Sequence, residues 1–303
     1  MASTSTDRID QEEDTETILA SGLTTPSRKG WKGTIAVDMD DVLCQTNATI
    51  VHMHHELFDT QPPLTLADFK NYLYWMNRGW GTPEETVGMV AKLYQGGLYM
   101  RAPPVEGAKE GLHRLKDLGY NLVIITARSE NQRSGTEDWI AEYLPDIFDE
   151  IHFTGAFQHL EPTREEKEGH VARKAVVSHH KRSKAEIIHK TSSLFLIDDS
   201  SENAYDVSIS TYPHELETKV LLFGDYPWNA IVHDPSTKTP LEEMTYFQKQ
   251  EKGLLDEYEN LRKEKIEKGW LPKGVERVSN WNKVVEWVAE FDKSRSNTQS
   301  NDI

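Results

Sequence analysis

Four short apolar runs, each stopping abruptly in polar residues, constrain what this chain can fold into. Thr34–Val37 ends at Asp38, Leu122–Ile125 at Thr126, Leu194–Ile197 at Asp198, and Val220–Phe223 at Gly224–Asp225. Continuous apolar runs of this length, separated by helical segments, read as strands buried on both faces of a parallel sheet. Between them, Ala108–Leu118 places Leu112, Leu115 and Leu118 on one helical face, and Glu137–Leu144 carries Trp139, Ile140 and Tyr143. Ser183 is placed to cap a helix over Lys184–His189. A weaker strand, Ile151–Phe153, follows Pro145–Phe148. This alternation predicts an α/β fold, a doubly wound parallel sheet.

Two stretches fall outside the alternation. Residues 47–103 are mostly helical and rich in aromatics, including Phe58, Phe69, Tyr72, Tyr74, Trp75 and Trp80. They lie between the first two strands, so they leave the sheet and return, as a cap would. Their aromatics are either the cap's own core or a base-stacking pocket, with Tyr72 and Trp75 the candidates to face the crevice. Residues 241–268 read as one highly charged helix with Met244, Phe247, Leu254, Tyr258 and Leu261 near one face. It either packs on the core or presents a surface to a partner. The expected plan is a tail over 1–30, a core over 31–46 and 104–293 with a charged insertion at about 235–272, a cap over 47–103, and a second tail over 294–303. A helix starting near Asn280 and carrying Trp281, Val284 and Val288 would close the core.

Composition narrows the function classes. The 303 residues hold 34 Lys+Arg against 50 Asp+Glu, a net charge of −16. So acidic a surface repels polyanions, which argues against a nucleic-acid polymer or an anionic membrane as partner. One cysteine, Cys44, excludes an internal disulfide framework and reads as a buried apolar residue. No run approaches the ~20 apolar residues of a membrane helix, and the N-terminal segment lacks a signal-peptide plan, so a cytoplasmic location is expected.

Reactive groups in an open parallel sheet gather beyond the carboxyl ends of the strands. Those ends carry Asp38, Asp40 and Asp41, then Thr126, Ala127 and Arg128, then Asp198 and Asp199. Carboxylates converging from two strand ends repel one another unless a cation sits between them, and hard oxygen ligands suit Mg²⁺. A carboxylate can attack phosphorus, a second acid two residues on can protonate a leaving oxygen and then activate water, and a Thr hydroxyl with the following amides can cradle phosphoryl oxygens. Lys184 opens the helix before Asp198 and supplies a cation. His52, His54 and His55 have a spacing that does not put three ligands on one helix face, so zinc is not expected.

The segments Ile35–Leu43, Ile124–Arg128, Lys184 and Leu196–Asp199 resemble the four ordered motifs of the haloacid dehalogenase superfamily. Within it the chain is most similar to the 5'-nucleotidase, deoxy type C, group of 5'(3')-deoxyribonucleotidases. The likeness extends through Pro104–Ala108, Leu221–Asn229 and the Trp281 helix. The resemblance implies a Rossmann-like core with a small helical cap inserted after the first strand. It implies Asp38 as nucleophile, Asp40 as general acid/base, Thr126 on phosphate, and Lys184 steadying both nucleophile and phosphoryl group; beside that cradle Ala127 and Arg128 are read as phosphate or substrate contacts, with Arg128 alternatively in an ion pair with a surface acid. Mg²⁺ would take Asp38, the Asp40 carbonyl and Asp198, with Asp199 acting through water. Tyr72 and Trp75 would meet the substrate's other end. Asp41 stands where those enzymes often carry Gly, and Ala127–Arg128 replaces their Ser-Pro.

The expected activity is therefore a Mg²⁺-dependent phosphomonoesterase acting through an aspartyl-phosphate, on nucleoside monophosphates. The alternatives are a phosphatase for a sugar or other small metabolite phosphate, or an idle binding or regulatory protein on the same scaffold. The partner is a small-molecule phosphate monoester, with a homodimer left open. A basic stretch (His170, Arg173, Lys174, His179, His180, Lys181, Arg182) either meets a second anionic group or is a solvated loop.

Overall fold

A computed structural model of the chain describes residues 31–155, 183–210 and 218–301. Six strands, β1 (Gly33–Val37), β2 (Tyr120–Thr126), β3 (Glu150–Phe153), β4 (Ser193–Asp198), β5 (Lys219–Phe223) and β6 (Val275–Val278), form one sheet in the order β3-β2-β1-β4-β5-β6. Every pairing is parallel, with Val37 beside both Ile124 and Ile197. The chain runs outward from β1 in one direction through β2 and β3, then crosses to β4 on the other side. That reversal makes the carboxyl end of β1 and β4 the topological switch point, where such sheets open a crevice.

The helices among the described residues are α1 (Thr46–Phe58), α2 (Pro83–Gln95), α3 (Leu98–Arg101), α4 (Ala108–Asp117), α5 (Arg133–Tyr143), α6 (Lys184–Lys190), α7 (Ser201–Ile209), α8 (Pro240–Glu243), α9 (Tyr246–Glu251), α10 (Leu255–Lys268) and α11 (Trp281–Asn301). Strand side chains alternate between two cores. Ile35, Val37, Phe195 and Ile197 pack with Leu112 and Leu115 of α4, Trp139 of α5, and Trp281, Val284 and Val288 of α11. On the opposite face Ala36 and Leu196 meet Ile187 and Ile188 of α6 and Ala204 and Val207 of α7. Helices on both faces of a parallel sheet are the expected doubly wound arrangement.

Between β1 and β2 the chain builds a third cluster from Ile50, Met53, Leu64, Phe69, Trp80, Leu93 and Leu98, joined by Trp228 from the loop after β5. Phe69 and Trp80 are buried there and Trp80 stacks on Tyr74, with ring centroids 4.4 Å apart. These aromatics are the core of the inserted cap.

Three expectations need correction. Residues 241–268 are not one helix. Thr239 and Thr245 each cap a new helix with a reciprocal capping box, and Gly253, at φ +68°, ends α9 in the left-handed region. Phe247, expected on the same helical face as Tyr258, is exposed whereas Tyr258 is buried. The last helix continues through Ser294 to Asn301, past the point where a tail was expected. Strand β6 was missed, because Val275-Glu-Arg-Val278 is too short and too charged to show a strand period. The N-terminal segment 1–30 and the basic stretch 170–182 lie outside the described residues. No described helix is long and apolar enough to cross a membrane.

Candidate active site

Beyond the carboxyl ends of β1 and β4, Asp38, Asp198 and Asp199 lie within 4.8 Å of one another, measured between carboxylate oxygens, and all three are buried. The local chain explains their placement. The Asp38 amide donates to the Ile197 carbonyl (2.9 Å), so the sheet ladder carries one residue beyond β1 and brings Asp38 against the end of β4. Ser183 caps α6 by accepting from the Glu186 amide, and this directs Lys184, the first helical residue, into the crevice. Lys184 Nζ lies 2.8 Å from Asp38 and 2.7 Å from Asp198, itself buried. Asp198 also accepts from the Ser200 amide and the Asn203 side chain. Asp38 Oδ1 also accepts from the Met39 amide (2.7 Å).

Burial and charge set the protonation pattern. Burial pushes the Asp38 carboxyl up to about 7 against the pull of Lys184, with Asp198 and Asp40 adding to the rise. Burial likewise raises Asp199, helped by the charges of Asp38, Asp41 and Asp198. Burial also opposes the charge of Lys184, but Asp198 and Asp38 hold it protonated. With all three carboxylates ionised, one lysine leaves negative charge in excess, which protons on Asp38 and Asp199 or a cation can offset. The donor set is all hard oxygen, and these residues therefore fit a small divalent cation. Among the described residues this is the one such group; His54 instead sits between Phe58 and Trp80 with Nε2 against the Gly79 carbonyl.

Asp40 is held differently. Arg128 grips it with both arms of a fork, Nε to Oδ2 at 3.0 Å and Nη2 to Oδ1 at 2.7 Å, while the Thr46 hydroxyl donates to Oδ1. Burial opposes ionisation of Asp40, but the charge and hydrogen bonds of Arg128, with Thr46 and Lys184, keep it below the usual carboxylate range. Arg128, expected either on the substrate or in an ion pair with a surface acid, is buried and paired with Asp40 at the site itself. Its remaining donors go to the Thr136 hydroxyl and Cys44 Sγ, and its face lies 3.6 Å from the centroid of the Tyr99 ring on α3. Cys44 is buried as expected, yet it belongs to this polar network rather than to a purely apolar one.

Thr126 ends β2 next to the Asp38 turn, buried, with Ala127 half-buried after it. Asp41 stands at φ +57°, in the left-handed region that favours glycine, and turns its carboxylate onto the Asn47 amide. Tyr72 is half-buried, and burial followed by the charges of Asp199, Asp38 and Asp198 pushes its hydroxyl pKa upward. Trp75 is half-buried in the turn Tyr74–Met76. Sequence reasoning assigned no site role to the loop after β5. There Trp228 Nε1 donates to Asp199 Oδ2 (2.6 Å), Asn229 holds the Asp199 carbonyl, and the Tyr226 hydroxyl donates to the Asp41 carbonyl. The signal available was two aromatics just beyond the carboxyl end of the fourth apolar run.

Residues 32–162 match the model of the 5' nucleotidase, deoxy (pyrimidine), cytosolic type C protein family. Over that segment the chain carries this family's pattern. The family match spans β1 through β3 with the cap between β1 and β2, and so includes Asp38, Asp40, Thr126 and Arg128 but neither Lys184 nor Asp198. Among solved structures, the L-2-haloacid dehalogenase of Xanthobacter autotrophicus is 13% identical with a TM-score of 0.46, over 84% of this chain and 98% of that one. A haloacid dehalogenase family hydrolase from Deinococcus radiodurans, with bound phosphate and sodium, is 13% identical with a TM-score of 0.42, over 66% and 85%. A haloacid dehalogenase-like family protein of Streptococcus pneumoniae is 14% identical with a TM-score of 0.40, over 65% and 86%. Among curated protein sequences nothing matches the chain.

Proposed function

We propose that this chain is a Mg²⁺-dependent phosphomonoesterase that works through Asp38, with nucleoside monophosphates as its substrates. The observation that carries the reading is Lys184, pinned between Asp38 and Asp198 at the ends of the two central strands, with Asp199 completing the carboxylate cluster.

The residues divide the chemistry as follows. Asp38 Oδ1 is engaged by Lys184 and the Met39 amide, which leaves Oδ2 for attack on phosphorus. As the Asp38–phosphorus bond forms, the bond to the ester oxygen breaks, and Asp40 passes a proton to that oxygen. In the second half a water attacks the phosphorus, Asp40 accepts its proton, and Asp38 is released. Thr126 and the amides after it cradle phosphoryl oxygens, and Lys184 offsets their charge. Asp38, Asp198 and the Asp40 carbonyl would hold Mg²⁺, with Asp199 acting through water; the ion supplies charge neutralisation at the transferring phosphoryl group. Tyr72 and Trp75, half-buried on the segment between β1 and β2, are the side chains assigned to a planar group beyond the phosphate. The site is read as cytoplasmic and as taking small molecules.

The test is phosphate release from a panel of nucleoside monophosphates and sugar phosphates, with Mg²⁺ and with EDTA, beside Asp38→Asn. Release that needs both the ion and Asp38 is expected, with nucleotides ranked first. Undiminished turnover by Asp38→Asn would sink the mechanism, and a sugar phosphate ranked first would overturn the substrate assignment.

A further inference from the structure

Helices α8–α10 have no part in the chemistry above, yet α10 touches both walls of the crevice. Arg262, 6% exposed, donates through Nη1 to the Lys70 carbonyl (2.8 Å) and through Nη2 to the Pro227 carbonyl (3.2 Å). The first carbonyl belongs to the cap and the second to the core. Lys70 opens the loop that carries Tyr72 and Trp75, while Pro227 precedes Trp228, whose indole holds Asp199. One turn earlier on the same face of α10, the Tyr258 hydroxyl donates to Asn71 Oδ1 (2.5 Å). The loop itself is internally tied. Asn77 Oδ1 accepts from the amides of Lys70 and Asn71, and its Nδ2 donates to the carbonyls of Asn71 and Leu73. A displacement at Lys70 or Asn71 is therefore passed to the whole segment 70–77. A guanidinium is a rigid planar fork, so two carbonyls bound to it keep a fixed separation.

We infer that Arg262 and Tyr258 are positioning residues: α10 fixes the 70–77 loop against the Asp199 end of the crevice and so selects phosphate monoesters that carry a group large enough to reach that loop. The inference rests on the phosphomonoesterase reading and adds a specificity device built from the insertion. A small phosphate compound such as acetyl phosphate fills only the carboxylate end and is indifferent to the loop. A nucleoside monophosphate spans both.

Tyr258→Phe removes one hydroxyl and keeps the ring; Arg262→Lys keeps the charge but cannot bridge both carbonyls. For each, kinetics on a pyrimidine nucleoside monophosphate and on acetyl phosphate are measured with Mg²⁺, alongside hydrogen exchange of the 70–77 amides. The expected result is a KM for the nucleotide raised about fivefold or more, the scale of one lost hydrogen bond. The kcat/KM for acetyl phosphate stays within about twofold, and the 70–77 amides exchange faster. Equal effects on both substrates, no effect on the nucleotide, or unchanged exchange in 70–77 would overturn the inference while the wild type remains active. A wild type inert toward both compounds would instead overturn the phosphomonoesterase reading, and this inference with it.

Discussion

The guanidinium of Arg128 holds the Asp40 carboxyl below the usual range, and that matters for a group that the proposed mechanism asks to act first as acid and then as base. In the proposed mechanism the free site would hold Asp40 as the base, so the proton delivered to a leaving oxygen would have to arrive with the substrate. Arg128→Gln releases the fork, and the Asp40 carboxyl then titrates at higher pH, because the cation that held it down is gone. The expected outcome is a kcat reduced up to about a hundredfold, as for a displaced catalytic group, with the acidic limb of the kcat–pH profile moved upward and KM little changed. An unmoved acidic limb would reduce Arg128 to a structural role. Asp40→Asn, which can neither give nor take the proton, should slow turnover by ~10²–10⁴. Its deficit should grow as the leaving group becomes a poorer one, measured on a series of aryl and alkyl phosphates. Asp38, Lys184 and Asp198 were legible in the sequence because each adjoins a local signal, an apolar run or a helix cap. The partner of Arg128 was not, since a long guanidinium reaches across elements and only the tertiary fold sets where it lands.

Among the elements, the cap and its strut carry the least expected feature. Lys249 on α9 is wholly buried, its Nζ has no hydrogen-bond partner, and it lies 3.7 Å from the centroid of the Tyr258 ring. Burial, reinforced by Arg262, lowers its pKa to about 8. A lysine depressed in the folded state binds its proton more weakly there than in the unfolded chain. Stability therefore rises as pH climbs from about 8 toward the ordinary lysine value, and the full cost is present below that window. Lys249→Met should raise the unfolding free energy by about 1–3 kcal/mol at pH 7. The advantage should shrink between pH 8 and 10, read by denaturant titration at several pH values; an advantage independent of pH would refute the charge argument. The strands with continuous apolar runs and the capped helix α6 could be read directly from the chain. The breaks between α8, α9 and α10 hinged on Thr caps and one glycine within a stretch whose apolar spacing still suited a single helix. Strand β6 is an edge element that takes its identity from β5 rather than from its own residues.

For the protein as a unit, the proposed Mg²⁺ site would link metal, proton and stability through the carboxylate cluster. With no cation bound, Asp38 is easier to protonate in the folded state than in the unfolded chain, where its value is about 4. Its raised pKa therefore makes the fold less stable as pH rises from about 4 to 7. Mg²⁺ competes with that proton, so its binding should raise the melting temperature clearly at pH 8 and much less at pH 6. Differential scanning calorimetry with Mg²⁺ and with EDTA at both pH values checks this. A Mg²⁺ effect equal at the two pH values would remove Asp38 from the ligand set.

The strand order also has a consequence for how the chain is made. β1 lies at the centre of the sheet, yet it leaves the ribosome first, and its two neighbours come from far along the chain. β4 follows roughly 150 residues later, about 8–30 s at ordinary synthesis rates. Until then an apolar strand tipped with acids has one open edge. The nascent protein carries that open edge through the interval, and β5 and β6 add outside the β1–β4 seam only after β4 has closed it.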